Sequence, residues 1–268
     1  MVYSRMHSAV QRWGGCVQLN TPVTGVVTES EKVTGIVLSD GTVREYEAVI
    51  STMPLTILVA HLPHVPAHVR DHASQLTFRN TIIVYLHIDS ASVCDDQWIY
   101  VQDPDFQTGR ITNFRNWNSS TNSVNDTTVL AMEFWCNTED SLWKEPDERM
   151  IDLATRELIA TRLVQEKSLV TDGMVYRIPR CYPVYRRGYQ DHLRPIQEYL
   201  KSIDGLHVIG RYGAFKYNNQ DHSILMGILA AENILESADH DLWSINSDYE
   251  SYQEDYLIGD AGLVPASK

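Results

Sequence analysis

GRYGAFKYNNQDHSILMGILAAENIL, residues 210–235, decides how the rest of the chain is read. A short apolar run at 206–209 leads into it, and a glycine-broken polar loop then gives way to an amphipathic segment. Apolar residues recur at Ile224, Leu225, Ile228, Leu229 and Ile234, with small residues at Gly227, Ala230 and Ala231. That is helical spacing, and the small residues let such a helix pack closely on its neighbours. Tyr217-Asn218-Asn219-Gln220-Asp221-His222-Ser223 crowds the point where the helix begins. A helix start offers N–H groups and a positive dipole end, which suit an anionic or carbonyl-rich ligand. An ordinary cap by Asn219 or Asp221 accounts for one of these residues and leaves the others over.

Upstream, residues 2–13 predict a helix with Met6, Val10 and Trp13 on one face, stopped by Gly14-Gly15. Strands are expected at 16–19 and 23–28, then a hairpin of 33–38 with 42–46 across Asp40-Gly41. A buried strand at 47–51 runs into Pro54, which suits the first turn of a helix over 55–61. Further helices are expected at 67–76, 145–164 and 189–202, and strands at 81–88, 97–101, 110–117, 127–134, 175–183 and 206–209. The polar run 118–126 reads as a surface loop, and 239–268 as a loose acidic tail, with Trp243, Tyr249, Tyr252 and Tyr256 as possible anchors. This order predicts an α+β fold, a mixed and largely antiparallel sheet with flanking helices. A dinucleotide domain would show a strand, GxGxxG and a helix, and Gly210-Arg211-Tyr212-Gly213 has the wrong spacing for it.

The chain has 268 residues and is 43% hydrophobic, enough for a substantial core. Its net charge of −13, with no basic run beyond Arg186-Arg187, speaks against nucleic acid and anionic membranes as partners. An anionic small molecule stays open, since one or two arginines suffice to hold it. Four scattered cysteines without a CxxC, no signal peptide and no run of about 20 apolar residues predict a cytoplasmic protein with free thiols. The sequons at Asn118 and Asn125 carry little weight without a secretory signal.

Three segments together resemble a known family. GCVQLNTPVTGVVTESEKVTGIVLSDGTVREYEAVISTMPLTILV, beginning at Gly15, is similar to the middle of flavin-dependent amine oxidases, protoporphyrinogen oxidases and UDP-galactopyranose mutases. The second is Tyr182-Pro183-Val184-Tyr185 with Tyr189 and its helix, and the third is GRYGAFKYNNQDHS, which resembles the C-terminal flavin motif of the mutases. The resemblance implies FAD as cofactor and a small-molecule substrate, a nucleotide sugar or an amine. It also implies that the chain corresponds to the C-terminal half of such a protein. The sheet and helices would then accompany the last strands and helix of an incomplete Rossmann-like FAD domain. Residues 1–53 would be a partial FAD-domain segment, 54–205 the substrate domain, 206–237 the C-terminal FAD strand and helix, and 238–268 the tail. A further chain or domain would supply the missing GxGxxG region.

Carried over by resemblance, Val23 would meet adenine, Gly210 and Arg211 would lie beside the flavin, and Asn219, Gln220 and Ser223 would contact isoalloxazine, ribityl or pyrophosphate groups. Arg211 and Tyr217 would touch a diphosphate substrate, with Tyr182 and Tyr185 in the same pocket. No side chain reads as a dedicated nucleophile. His61, His64, His68 and His72 suggest a metal, but Pro63 and Pro66 interrupt the segment, so a solvated face is expected there. His222 reads as a helix-start hydrogen-bonding group before it reads as a base. Two other readings remain open at this point: a non-enzymatic remnant or interaction module, and a UDP-sugar-binding protein without redox chemistry.

Overall fold

The computed structural model describes residues 2–117, 126–245, 256–259 and 262–265, the last two as backbone. Asn118, Asn125, Tyr249 and Tyr252, and nearly all of the expected loop at 118–126, lie outside these residues. The fold is α+β, and the chain divides into two compact units, Met1–Leu76 with Arg187–Lys268, and Thr77–Arg186.

The second unit is built on one antiparallel sheet. Its strands are β5 (Phe78–Ile88), β6 (Trp98–Tyr100), β7 (Thr108–Asn113), β8 (Thr128–Cys136) and β9 (Val170–Pro183), in the order β6-β7-β8-β5-β9. Strand alternation sends Ile82, Val84, Leu86 and Ile88 to one face, where all four are fully buried. The apolar side of helix α5 (Asp147–Ala160) completes that core with Met150, Ala154 and Leu158. Pro146 caps the helix, and Asp147 and Glu148 complement its dipole in the first turn. A one-turn helix, α4 (Ser141–Lys144), precedes it. The strand expected over 110–117 stops at Asn113, because the Asn113 side chain accepts from Arg115 N–H and turns the chain into a 3-10 turn.

In the first unit, helix α1 (Val2–Arg12) buries no residue. Strands β1 (Val23–Glu29), β2 (Lys32–Leu38) and β3 (Val43–Glu45) form the expected hairpin sheet, with Asp40 Oδ1 accepting from Thr42 N–H at 2.9 Å in the turn. The strand expected at 16–19 does not form. That segment is exposed with no ladder partner among the described residues; Arg44 Nη1 donates to Gln18 Oε1 at 2.7 Å and Thr21 Oγ1 to Leu19 O at 3.0 Å. Strand β4 (Val49–Ser51) leads into α2 (Leu55–His61) and α3 (Ala67–Gln75), and α6 (Tyr189–Lys201) packs on α3.

Strand β10 (Leu206–Val208) then pairs with β4 in parallel, Leu206 opposite Val49 and Val208 opposite Ser51. A single turn, α7 (Gly210–Gly213), and the long α8 (Gln220–Leu235) follow. The turn of α7 falls inside what the sequence suggested was loop.

Residues 238–245 are better packed than their composition suggested. Leu242 is buried against Ile209, Met226 and Ala230, with Trp243 and Ile245 beside it. Asn233 clasps His240 twice, at 2.9 Å each, and Lys201 pairs with Asp241 at 3.2 Å. Strands β11 (Tyr256–Gly259) and β12 (Gly262–Pro265) form a short antiparallel hairpin.

Candidate functional site

The β10–α7–α8 passage is held in place from below. Ile209 N–H donates to Ser51 O at 3.0 Å, and a Cβ on Gly213 would stand only 3.0 Å from the same oxygen. Only glycine lets α7 lie so close on the β4 strand end. Gly210 has φ of +80°, a conformation side chains disfavour, and open space where a Cβ would project. Its bare backbone faces that space.

A groove of about 990 Å³ opens there, lined by Gly210, Arg211, Tyr212 and Thr52 at one end. Asn218, Asn219, Gln220 and Ser223 line the helix start, and Ile224, Gly227, Ile228 and Ala231 continue along α8. Tyr3 and Met6 of α1 form the remaining side, and the Tyr3 hydroxyl is hydrogen-bonded to Gln220 Nε2. Asn219 stands at the N-cap, and its N–H donates to His222 Nδ1 at 3.4 Å. Ser223 N–H and Oγ both turn back to Asn219 O at 3.2 Å. The Asn219 side chain in turn accepts from His222 N–H, closing a capping box, and the N–H groups of Gln220 and Asp221 ahead of it lie at the positive end of the helix dipole.

Gly210, Arg211, Asn219, Gln220 and Ser223, separated by up to thirteen positions, are thus brought to one groove. Val23 begins β1 opposite Leu38 and does not line it. Tyr217 is not among the groove-lining residues, and the Arg211 guanidinium lies 4.8 Å from its ring centre. Tyr182 and Tyr185 belong to the second unit, where Tyr182 pairs with Arg79 across β5 and β9 and Tyr185 is exposed. Of the four histidines that suggested a metal, His72 meets His192 of α6, Nδ1 to Nδ1 at 3.1 Å. Among the described residues no group of three or more metal-ligating side chains gathers.

The sequence reading missed Tyr3, Met6 and Thr52, and it did not say which apolar residues of α8 line the groove.

The volume lies at the upper end of the roughly 300–1,000 Å³ usual for ligand pockets. A flavin dinucleotide needs hydrogen-bond donors for its phosphate and ring oxygens, together with apolar surface for its rings. The amides of Asn219 and Gln220, the helix end, the open Gly210 backbone and the Ile224–Ile228 side of α8 supply both. The residues present fit one side of such a group.

Residues 1–235 match the flavin containing amine oxidoreductase family, and the chain belongs to that family. Membership carries a flavin cofactor, FAD. Among solved structures, the chain is similar to a reduced UDP-galactopyranose mutase, with TM-score 0.75 and 21% identity over 89% of this chain and 52% of that one. It is similar to a putative protoporphyrinogen oxidase from Exiguobacterium sp. 255-15, with TM-score 0.59 and 20% identity over 76% of this chain and 46% of that one. An oxidoreductase from Methanosarcina mazei aligns with TM-score 0.58 and 12% identity over 86% and 53%. The chain therefore spans about half the length of these structures. No match is found among curated protein sequences.

Proposed function

We propose that this chain forms one wall of the FAD site and the substrate-binding part of a flavin-dependent oxidoreductase of the amine oxidase and UDP-galactopyranose mutase type. The supporting observation is the groove from Gly210 to the start of α8, lined by Asn219, Gln220 and Ser223, in a chain of this family. Gly210 and the α8 N-terminus would hold the cofactor, with Asn219 and Gln220 donating to its oxygens and Ser223 beside them. The bound flavin would supply hydride or electron transfer. The residues of this chain would orient it and keep water from its apolar side.

The opposite wall would come from a chain or domain carrying strand, GxGxxG and helix. Two features support that partner. Strands β4 and β10 make only a two-stranded parallel pair, an arrangement found almost always inside a larger covered sheet. Helix α8 leaves Ile224, Leu225 and Ile228 more than 40% exposed. The substrate would be a small molecule, an amine or a nucleotide sugar. Four unpaired cysteines and the absence, among the described residues, of a membrane-crossing helix support a cytoplasmic setting.

The test is an FAD titration of the purified chain, followed by flavin absorbance and amide NMR. We expect no stoichiometric flavin retention, but at high FAD amide shifts confined to Gly210 and residues 219–223. Tight binding with a perturbed flavin spectrum would show that the chain is more than one wall. No shifts at those amides would sink the flavin reading and leave a non-enzymatic remnant. Shifts with UDP-sugar but none with FAD would replace redox chemistry with nucleotide-sugar binding.

A further inference from the structure

Arg211 is the cation nearest the groove, and a guanidinium beside a dinucleotide site invites a role in gripping phosphate. Its hydrogen bonds say otherwise. Nε donates to Asn218 O at 2.9 Å, and Nη2 donates to the same oxygen. The flat guanidinium also lies over the Tyr217 ring, 4.8 Å from its centre. The main chain repeats the closure, with Lys216 N–H donating to Arg211 O at 3.0 Å.

The oxygen that Arg211 holds belongs to a residue that is itself buried. Asn218 is 1% exposed, and its Nδ2 donates to Met226 Sδ, two turns into α8, at 3.2 Å. Asn219, the helix cap, is the next residue. Phe215, fully buried with φ of +50°, pins the far side of the loop in a conformation that side chains seldom adopt. Lys216 Nζ ties the same loop to Ile245 O at 2.8 Å. The loop is closed at every corner, and Arg211 spans its mouth.

We propose that Arg211 is a positioning residue, a latch across residues 211–218 that fixes where Asn219 and Gln220 present the α8 N-terminus to the groove. It does not grip the cofactor or substrate phosphate. Resting on the flavin reading for what the groove holds, the latch itself depends only on this chain. A planar fork stacked on an aromatic ring is a task lysine cannot perform, whereas lysine remains a competent point charge for phosphate. Arg211→Lys therefore separates the two roles.

The experiment compares hydrogen exchange of the full chain with its Arg211→Lys, Arg211→Ala and Tyr217→Leu variants, alongside the FAD titration. Amides 216–222 are expected to exchange at least about tenfold faster in both Arg211 variants, since local opening tracks lost local contacts. The β1–β2 hairpin amides should be unchanged, which verifies that the unit stays folded. Tyr217→Leu, the milder change, should show a smaller rise at the same amides. The FAD-induced shifts at 219–223 should weaken equally in Arg211→Lys and Arg211→Ala. Near-native exchange in Arg211→Lys would overturn the latch, as would an FAD response kept by lysine and lost with alanine. If the wild-type chain shows no FAD response at all, the flavin reading falls, and the exchange measurements still decide the latch.

Discussion

Helices α5 and α8 have similar length and both carry apolar residues at helical spacing, α8 around more of its circumference, yet the structure treats them differently. α5 lays Met150, Ala154 and Leu158 on a five-stranded antiparallel sheet, and each of the three is fully buried. α8 buries Met226 and Ala230 but leaves Ile224 52% and Ile228 51% exposed, beside a parallel pair of only two strands. An antiparallel sheet can close its core with one covering layer, whereas parallel strands ordinarily need cover on both faces. The α5 face of the second unit's sheet is thus covered by its own chain. The α8 region carries apolar surface that the described residues leave exposed, and the proposed site lies along that surface.

The largest expected effect tests this contrast directly. Leu158→Ala removes a fully buried side chain and should cost about 2–5 kcal/mol in urea unfolding, as large-to-small core changes do. Ile228→Ala, at half exposure, should cost under about 1 kcal/mol. Equal losses would mean that α8 is as fully packed as α5, and the contrast would fail. Addition of the completing α/β portion should raise the cost of Ile228→Ala and leave that of Leu158→Ala unchanged.

A smaller effect is expected on the sheet face opposite α5. Glu133 is buried, and its carboxylate accepts from Arg110 Nε at 2.8 Å and Nη2 at 2.7 Å. The Arg110 guanidinium is held charged well above its usual range by this carboxylate, against the opposing effect of burial, which is the largest single influence. Glu133→Gln keeps the volume and removes the charge. It should destabilise by about 1–3 kcal/mol, less than a fully buried pair would, because Arg110 still reaches water. Replacing both residues with apolar ones should recover part of that loss. A Glu133→Gln variant as stable as wild type would show that the pair contributes nothing to the second unit.

The same contrast explains what the sequence revealed. Strand alternation in β5 and the 3.6-residue spacing of α5 are written in the residues that form the core, so those elements were legible to within a few positions. Asp40-Gly41 and Pro54 marked the hairpin and the start of α2 for equally local reasons. The strand at 16–19 failed because a strand needs a partner, and nothing in Cys16-Val17-Gln18-Leu19 reports that none is present. Asn219, Gln220 and Ser223 were legible as a helix start with too many polar groups. The hydrogen bonds of Arg211 to the Asn218 carbonyl were not, because composition cannot place a carbonyl seven residues away. Leu242 was hidden by the acidic residues around it, whereas Trp243 reads as an anchor and packs beside it. The exposure of Ile224 and Ile228 was not legible for a related reason, since an apolar stripe does not report what lies against it.

The smallest effect concerns the thin parallel pair itself. His207 sits in β10 opposite Ile50, between the buried Leu206 and Val208. Burial lowers the pKa of its imidazole from the ordinary 6.5, and the nearby Asp204 carboxylate opposes that shift only in part. A depressed histidine pKa means that the folded state disfavours the proton relative to the unfolded chain. The stabilisation is present above about pH 6.5 and is lost as pH falls from there through the folded value. Thermal melts at about pH 7.5 and pH 5.5 should show wild type losing more stability in acid than His207→Gln, which carries no titrating group. Identical losses in the two proteins would show that His207 does not couple β10 to pH. A strand laid against β4 or β10 by a completing domain would remove the imidazole further from water and lower its pKa again. The acid sensitivity of the assembled protein should then exceed that of the chain alone, and His207→Gln should abolish the difference.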